Sequence, residues 1–277
     1  MQPSMSAVGK TIRMDHIFGR DGRAVMVAIN HGMHMGPSRG IDDMNRLLSD
    51  LMPEQPDSIT IHKGIAMRYA DLFVGKTALV IKSTNATRFF RPEETPLTSV
   101  EEAVSLGADA VAIGLSLADE KEQSAMRHVG EMVAAAEKFG LPTVTHSYPC
   151  GGLLTDAERF SVENVGYAVR VSQELGVDII KTFWTGSQKT FEKIVAYGAP
   201  NKVVISGGPR CKTLRECFEM TRQGIDAGAA GITYGRNIWE HEYPSAVLRG
   251  LMAIVHNGAC VEHALEAAED AAGTHLV

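Results

Sequence analysis

Lys181 closes a short apolar run, Val177-Asp-Ile-Ile-Lys-Thr-Phe-Trp-Thr-Gly186, and a lysine so placed can do covalent chemistry. If the run is a buried strand, alternation puts Ile179 and Lys181 on one face, and the ammonium stands inside whatever the strand lines. Burial disfavours the charged form and lowers the lysine pKa. That leaves a neutral amine able to attack a carbonyl and form an imine. The competing account is a strand-end lysine whose head group reaches water. The residues around it in the fold decide between the two.

A second apolar run, Val144-Thr-His-Ser-Tyr-Pro149, puts His146 and Tyr148 on one face by the same alternation. A lysine and a tyrosine in one pocket suit imine chemistry in which a phenol moves protons, since the low polarity that neutralises the amine also keeps the phenol protonated. A structural tyrosine bonded to a loop carbonyl is the alternative. Two further runs end in glycine, Ile205-Ser-Gly-Gly-Pro-Arg210 and Thr233-Tyr-Gly-Arg-Asn-Ile238, each followed by a helical pattern. Glycine lets backbone amides turn toward one spot, and a helix N-terminus adds partial positive charge there. Ser206, Gly207, Gly208, Gly235 and Arg236 are therefore candidates to hold a phosphate.

Other strand-end residues carry less. His31 and His34 in Asn30-His-Gly-Met-His34 lack a Cys, Asp or Glu partner at ligand spacing, so no metal site is expected, and His31 is assigned a hydrogen bond near the substrate. Lys63 and Lys82 each leave an apolar run, where contact with a charged substrate competes with simple surface exposure. Trp184 and Trp239 follow strand-end motifs and are read as loop packing. Nothing marks Cys150 as an activated nucleophile.

The elements that must position these residues alternate along the whole chain. Candidate strands are residues 24–30, 58–62, 77–82, 110–115, 142–147, 178–182, 202–206 and 231–234, with helical patterns between them, for instance at 41–52, 121–139, 162–175, 213–227 and 244–256. Gly107-Ala-Asp109 and Gly176-Val-Asp178 end helices and start strands, as a left-handed glycine allows. This rhythm predicts a parallel sheet closed into a single-domain (β/α)8 TIM barrel. The expected organisation is an N-terminal extension and helix over 1–20, the barrel over 21–260, and a C-terminal helix and tail over 261–277. An open doubly wound sheet is disfavoured because Asn30-His-Gly-Met-His-Met-Gly36 is no GxGxxG loop. In a barrel, the C-terminal strand ends form the site, and the loops after strands seven and eight commonly bind phosphate.

Composition narrows the function classes. A net charge of -6 argues against nucleic-acid binding. The four cysteines form no CxxC pair, so reduced thiols are expected. Met1-Gln-Pro-Ser-Met-Ser-Ala has neither the basic start nor the apolar core of a signal peptide, and no apolar run approaches the ~20 residues of a membrane span. A cytoplasmic protein without membrane partners is the expectation.

Several separated motifs carry a family resemblance: Asn30-His-Gly32 with Gly36-Pro37, His62-Lys-Gly-Ile65, Ser147-Tyr-Pro149 with Gly151-Gly152, Asp178-Ile-Ile-Lys181 with Thr185-Gly186, Ser206-Gly-Gly-Pro209 and Gly235-Arg-Asn-Ile238. Taken together the chain, from about Met14 to His263, resembles the archaeal-type class I fructose-bisphosphate aldolases and the 2-amino-3,7-dideoxy-D-threo-hept-6-ulosonate synthases. The resemblance implies a Schiff base on Lys181, proton transfer by Tyr148, phosphate binding by Gly207, Gly208, Gly235 and Arg236, no metal or organic cofactor, and a homo-oligomer. Two departures stand out. Asn30 occupies the place of an aspartate, and an amide is no general base, so proton transfer rests on Tyr148, a water or a residue such as His146. Cys150 replaces an arginine, and His146 an aromatic residue, which weakens the case for a second phosphate and points to a specialised acceptor aldehyde. The implied activity is a ketose-phosphate aldolase with dihydroxyacetone phosphate or a related ketose phosphate as donor. Its alternatives are a transaldolase-type synthase using aspartate semialdehyde, a thiolase-like cleavage with coenzyme A, and a catalytically silent phosphosugar-binding barrel.

Overall fold

Short runs of β-branched and small residues, each leading into a helix, form eight parallel strands that close on themselves in the computed structural model, which describes residues 3–89 and 93–276. The barrel strands are β1 (Ala24–Ala28), β2 (Ser58–Ile61), β3 (Ala78–Lys82), β4 (Ala110–Leu117), β5 (Thr143–Pro149), β6 (Ile179–Phe183), β7 (Lys202–Ser206) and β8 (Gly231–Tyr234). Each pairs with its neighbours in chain order, and β8 closes on β1. The (β/α)8 barrel is thus observed. Strands β4 and β5 run two residues past their expected ends because Ser116 and Leu117 remain paired with Tyr148 and Pro149. Tyr148 is therefore held by a strand and not by a loop.

Local chemistry sets the helix starts. Side-chain oxygens of Ser4, Asp43, Ser161, Ser187 and Thr213 accept first-turn amides, and Ser99 with Glu102 forms a reciprocal capping box. Gly107 and Gly176 take left-handed φ values of 74° and 80°, so the chain leaves its helix there and turns back to the sheet. The aspartate that follows then ties two strands together. Asp109 accepts from the Leu79 amide at 2.9 Å and Asp178 from the Thr143 amide at 2.8 Å, an N-terminal stitch that fixes the strand register.

Alternation sorts the side chains into two cores. Val25, Val27, Ile59, Ile61, Ile81, Val111 and Ile180 face the helices. Ala24, Met26, Ala78, Val80, Ala110, Ala112, Val144, Ile179 and Val204 fill the barrel, and Ile17 and Phe18 at the end of helix Met5–Ile17 pack against this cluster. The next inward positions on β3, β5, β6 and β7 are Lys82, His146, Lys181 and Ser206, all buried. Polar chemistry thus sits on an apolar floor, at the C-terminal end where barrel sites lie. One feature has no counterpart in the sequence reading: a two-stranded antiparallel ladder, Thr84–Asn85 with Thr95–Pro96, stands beyond β3. No helix among the described residues is long and apolar enough to cross a membrane.

Candidate active site

Lys181 lies on the inner face of β6, paired in register with His146 of β5, and is 5% exposed. Burial lowers its pKa to about 7, with the Lys82 cation adding to the effect and Glu94 opposing it. Near neutral pH a substantial share of the amine is therefore free to act as a nucleophile. Only the neutral form attacks a carbonyl, so kcat/KM is expected to rise with pH along an acid limb centred on about 7. An initial-rate pH profile checks this, and a limb near the ordinary lysine value would contradict it.

Lys82 is fully buried. Its ammonium donates to Thr84 Oγ1 at 2.9 Å and to Glu94 Oε2 at 2.5 Å, and the Thr84 hydroxyl also donates to Glu94. Burial lowers the Lys82 pKa while Glu94 resists that change. Burial pushes Glu94 up, but the lysine beside it holds the carboxyl below the usual range. Each partner thus favours the charged form of the other. Gly114 makes room for the pair: a Cβ there would come within 1.9 Å of the Glu94 carboxylate.

Tyr148 donates from its hydroxyl to Ser206 Oγ at 3.0 Å and stacks on Phe183 with ring centroids 4.4 Å apart. Burial raises its pKa, so the phenol keeps its proton. Among the described residues, Asn30 Oδ1, His31 Nδ1 and His146 Nε2, which line the same cavity as the amine, are buried without a partner. Both histidines are held neutral, by burial first and then by Lys181. Buried polar groups are normally paired, so this trio is set to receive a substrate's hydroxyls or carbonyl. The Asn30 backbone carbonyl accepts from Asn85 Nδ2 at 2.9 Å, which fixes the β1 end.

Beside these, at the ends of β7 and β8, lies the glycine cradle. Asn237 Nδ2 donates to the Gly207 carbonyl at 3.1 Å and an Arg236 Nη2 to that of Gly208 at 2.9 Å, tying the loops after β7 and β8 together. Gly208 has φ +56°, which a side chain would strain. At Gly235 a Cβ would lie 2.6 Å from His31 Cε1 and 2.8 Å from the Ala28 carbonyl, so only glycine lets this loop approach β1.

These parts line one cavity of about 910 Å³. It gathers Asn30, His31, His146, Tyr148 and Lys181 with Ser206, Gly207, Gly208, Gly235 and Arg236. Lys63 is not brought to it, which corrects its assignment to the substrate. Strand β2 ends at Ile61, so Lys63 opens helix Lys63–Phe73 and its ammonium pairs with Glu102 at 2.5 Å on the surface. Lys82, for which exposure was an equal reading, is interior. Sequence reasoning missed Glu94 and Arg159, which also line the cavity. Both come from irregular segments that carry no periodic signal. Trp239 and Trp184 do pack: the first donates to the Ala28 carbonyl at 3.0 Å and the second rests on Phe191.

Comparison with known proteins agrees with this geometry. Residues 24–241 match the model of the DeoC/LacD family aldolases. A 2-amino-3,7-dideoxy-D-threo-hept-6-ulosonate synthase of Halobacterium salinarum is 30% identical over 94% of this chain and 97% of its own length. A class 1 fructose-bisphosphate aldolase of Thermoproteus tenax is 33% identical over 87% of this chain and 93% of its own. Among solved structures, an archaeal fructose-1,6-bisphosphate aldolase with its catalytic lysine covalently bound to the carbinolamine intermediate superposes with a TM-score of 0.81 at 32% identity, covering 89% of this chain and 99% of that one.

Proposed function

The chain belongs to the DeoC/LacD aldolase family and is a class I aldolase, and we propose that it makes or cleaves a carbon-carbon bond in a ketose phosphate through an imine on Lys181. The observation that carries this reading is the buried Lys181 amine, with its pKa lowered to about 7, sharing one cavity with Tyr148 and the glycine loops.

In the proposed cycle the phosphate of the donor sits against Gly207, Gly208, Gly235 and Arg236, and that anchor brings the ketone to the amine of Lys181. Attack and loss of water give an iminium. In cleavage its positive nitrogen takes up the electrons of the breaking carbon-carbon bond and leaves an enamine; in synthesis it takes up those of an adjacent carbon-hydrogen bond, whose proton passes to a neutral base such as His146 Nε2 or a water, and the enamine then gives its electrons to the aldehyde carbon. In the synthetic direction the protonated Tyr148 gives its proton to the oxyanion developing on the acceptor aldehyde, while Ser206 holds the phenol in place. Asn30 Oδ1, His31 Nδ1 and His146 Nε2 bind the hydroxyls of the substrate. Asn30 offers no carboxylate, so this proton transfer is assigned to Tyr148.

Dihydroxyacetone phosphate incubated with a panel of aldehydes, followed by NMR, tests the reading. A new carbon-carbon bond is expected with at least one aldehyde, and its absence across the panel would overturn the proposal. Tyr148→Phe is expected to lower kcat by about 10²–10⁴-fold, the usual worth of a positioned proton donor, while leaving imine formation on Lys181 intact. Unimpaired turnover in that variant would remove Tyr148 from the mechanism. The similarity to the Halobacterium synthase supports a second arm, in which the enamine adds to an amino-acid-derived aldehyde.

The four unpaired cysteines support a reducing, cytoplasmic setting. Helix Met5–Ile17 leaves Met5, Val8 and Ile12 exposed, which supports assembly into a homo-oligomer; light scattering on the purified chain measures it.

A further inference from the structure

The cavity has a second cationic wall that the mechanism above leaves idle. In the closed strand order, β4 lies diametrically across the barrel from β8, which leads into Arg236. Arg159 reaches the cavity from the short turn Glu158–Phe160 that follows β5, close enough to Cys150 to act on it electrostatically. Lys181, on β6, stands between this wall and the glycine cradle. A substrate anchored by phosphate at the cradle, with its carbonyl at Lys181, has the β5 side of the cavity, where Arg159 lies, left for its growing end.

The turn that presents Arg159 is firmly held. Glu158 Oε2 accepts from the Thr155 amide at 2.8 Å and its hydroxyl at 2.6 Å, and Asn164 Nδ2 donates to the Glu158 carbonyl at 3.0 Å. Phe160 packs on Phe183 at 4.9 Å, and Phe183 in turn stacks on Tyr148, so the turn is braced against the site. The guanidinium itself is under-used. Its Nε is buried without a partner, and its Nη1 contacts Asp156 at 3.0 Å, an aspartate whose side chain is 93% exposed and which solvent screens. Glu94, the single carboxylate among the described residues lining the cavity, is already neutralised by Lys82. Among the described residues lining the cavity no other carboxylate is present to pair with Arg159, whose one ion pair, with Asp156, lies toward solvent.

We propose that Arg159 selects the acceptor, by binding an anionic group, phosphate or carboxylate, at the end of the aldehyde remote from its reacting carbonyl. The inference rests on the ketose-phosphate reading of the site. It restores an anion subsite that Cys150, at its own position, does not supply.

The test measures kcat/KM at fixed dihydroxyacetone phosphate for three aldehydes: glyceraldehyde 3-phosphate, succinic semialdehyde and uncharged glyceraldehyde. The wild type is expected to favour one of the charged aldehydes. The charged-to-neutral ratio should fall by about 10–100-fold in Arg159→Gln, through KM, as expected for loss of a charge-assisted hydrogen bond. Arg159→Lys should recover part of the ratio by charge alone, and Asp156→Asn should not lower it. Whichever anion loses more in Arg159→Gln is the natural one. An unchanged ratio in both Arg159 variants, or a wild type that prefers glyceraldehyde, overturns the proposal. Hydride trapping of dihydroxyacetone phosphate on Lys181 separates the two levels: an adduct in the wild type with an unchanged ratio defeats only the Arg159 role, and no adduct defeats the aldolase mechanism beneath it.

Discussion

Lys181→Ala is expected to lower the aldol rate by roughly 10⁴–10⁶-fold, the scale on which enzymes lose turnover when a covalent nucleophile is removed. The variant should fold. Lys181 lines the cavity and carries no hydrogen bond between elements among the described residues, and truncation relieves a buried amine of its desolvation. Circular dichroism and thermal melting establish the fold, and a coupled assay for aldehyde release measures the loss. A residual rate within tenfold of wild type would mean that the carbonyl is activated elsewhere.

Lys82→Met should damage stability more than any other single change near the site. It strands the Glu94 carboxylate against the barrel wall with Thr84 as its remaining hydrogen-bond partner among the described residues, and breaking a buried pair in this way costs about 3–5 kcal/mol. Chemical denaturation measures that loss. The same variant carries a kinetic signature. Lys82 helps hold the Lys181 pKa down while Glu94 pushes it up, so removal of the cation alone should move the acid limb of the pH profile above 7. The double variant Lys82→Met/Glu94→Gln removes both charges. It should recover most of the stability, with an acid limb between those of wild type and the single variant. A wild-type pH profile in Lys82→Met would show that desolvation alone sets the amine.

Alternation explains how much of this site is legible in the chain. Three residues on two neighbouring strands, His146, Tyr148 and Lys181, share the inward face because the pleat repeats every second residue, and the barrel rule then places them at one end. The glycine loops were legible for the same reason, since their strands were. Lysines at strand ends are not legible in this way. Lys82 and Lys63 follow similar apolar runs, yet β3 persists through Lys82 and turns it inward, whereas β2 stops at Ile61 and gives Lys63 to a helix facing Glu102. A difference of one or two residues in strand length reverses the answer, and propensity does not fix strand ends that closely.

Glu94 and Arg159 were out of reach for a different reason. Each sits in an irregular segment after a strand, where side-chain direction follows from tertiary contacts such as Phe160 on Phe183 and not from a repeating pattern. The departure at Cys150 read as a lost anion site, but the fold brings an arginine to the same cavity from farther along the chain. Specificity lives in the loops here, while the chemistry lives on the strands.

Reduction with borohydride in the presence of dihydroxyacetone phosphate, followed by peptide mass spectrometry, tests the central claim most directly. A stable adduct of the reduced donor is predicted on the peptide containing Lys181, forming more readily as the pH rises through about 7 and absent from Lys181→Ala. No adduct on any ketose phosphate tried, or one carried by Lys82 instead, would contradict the account.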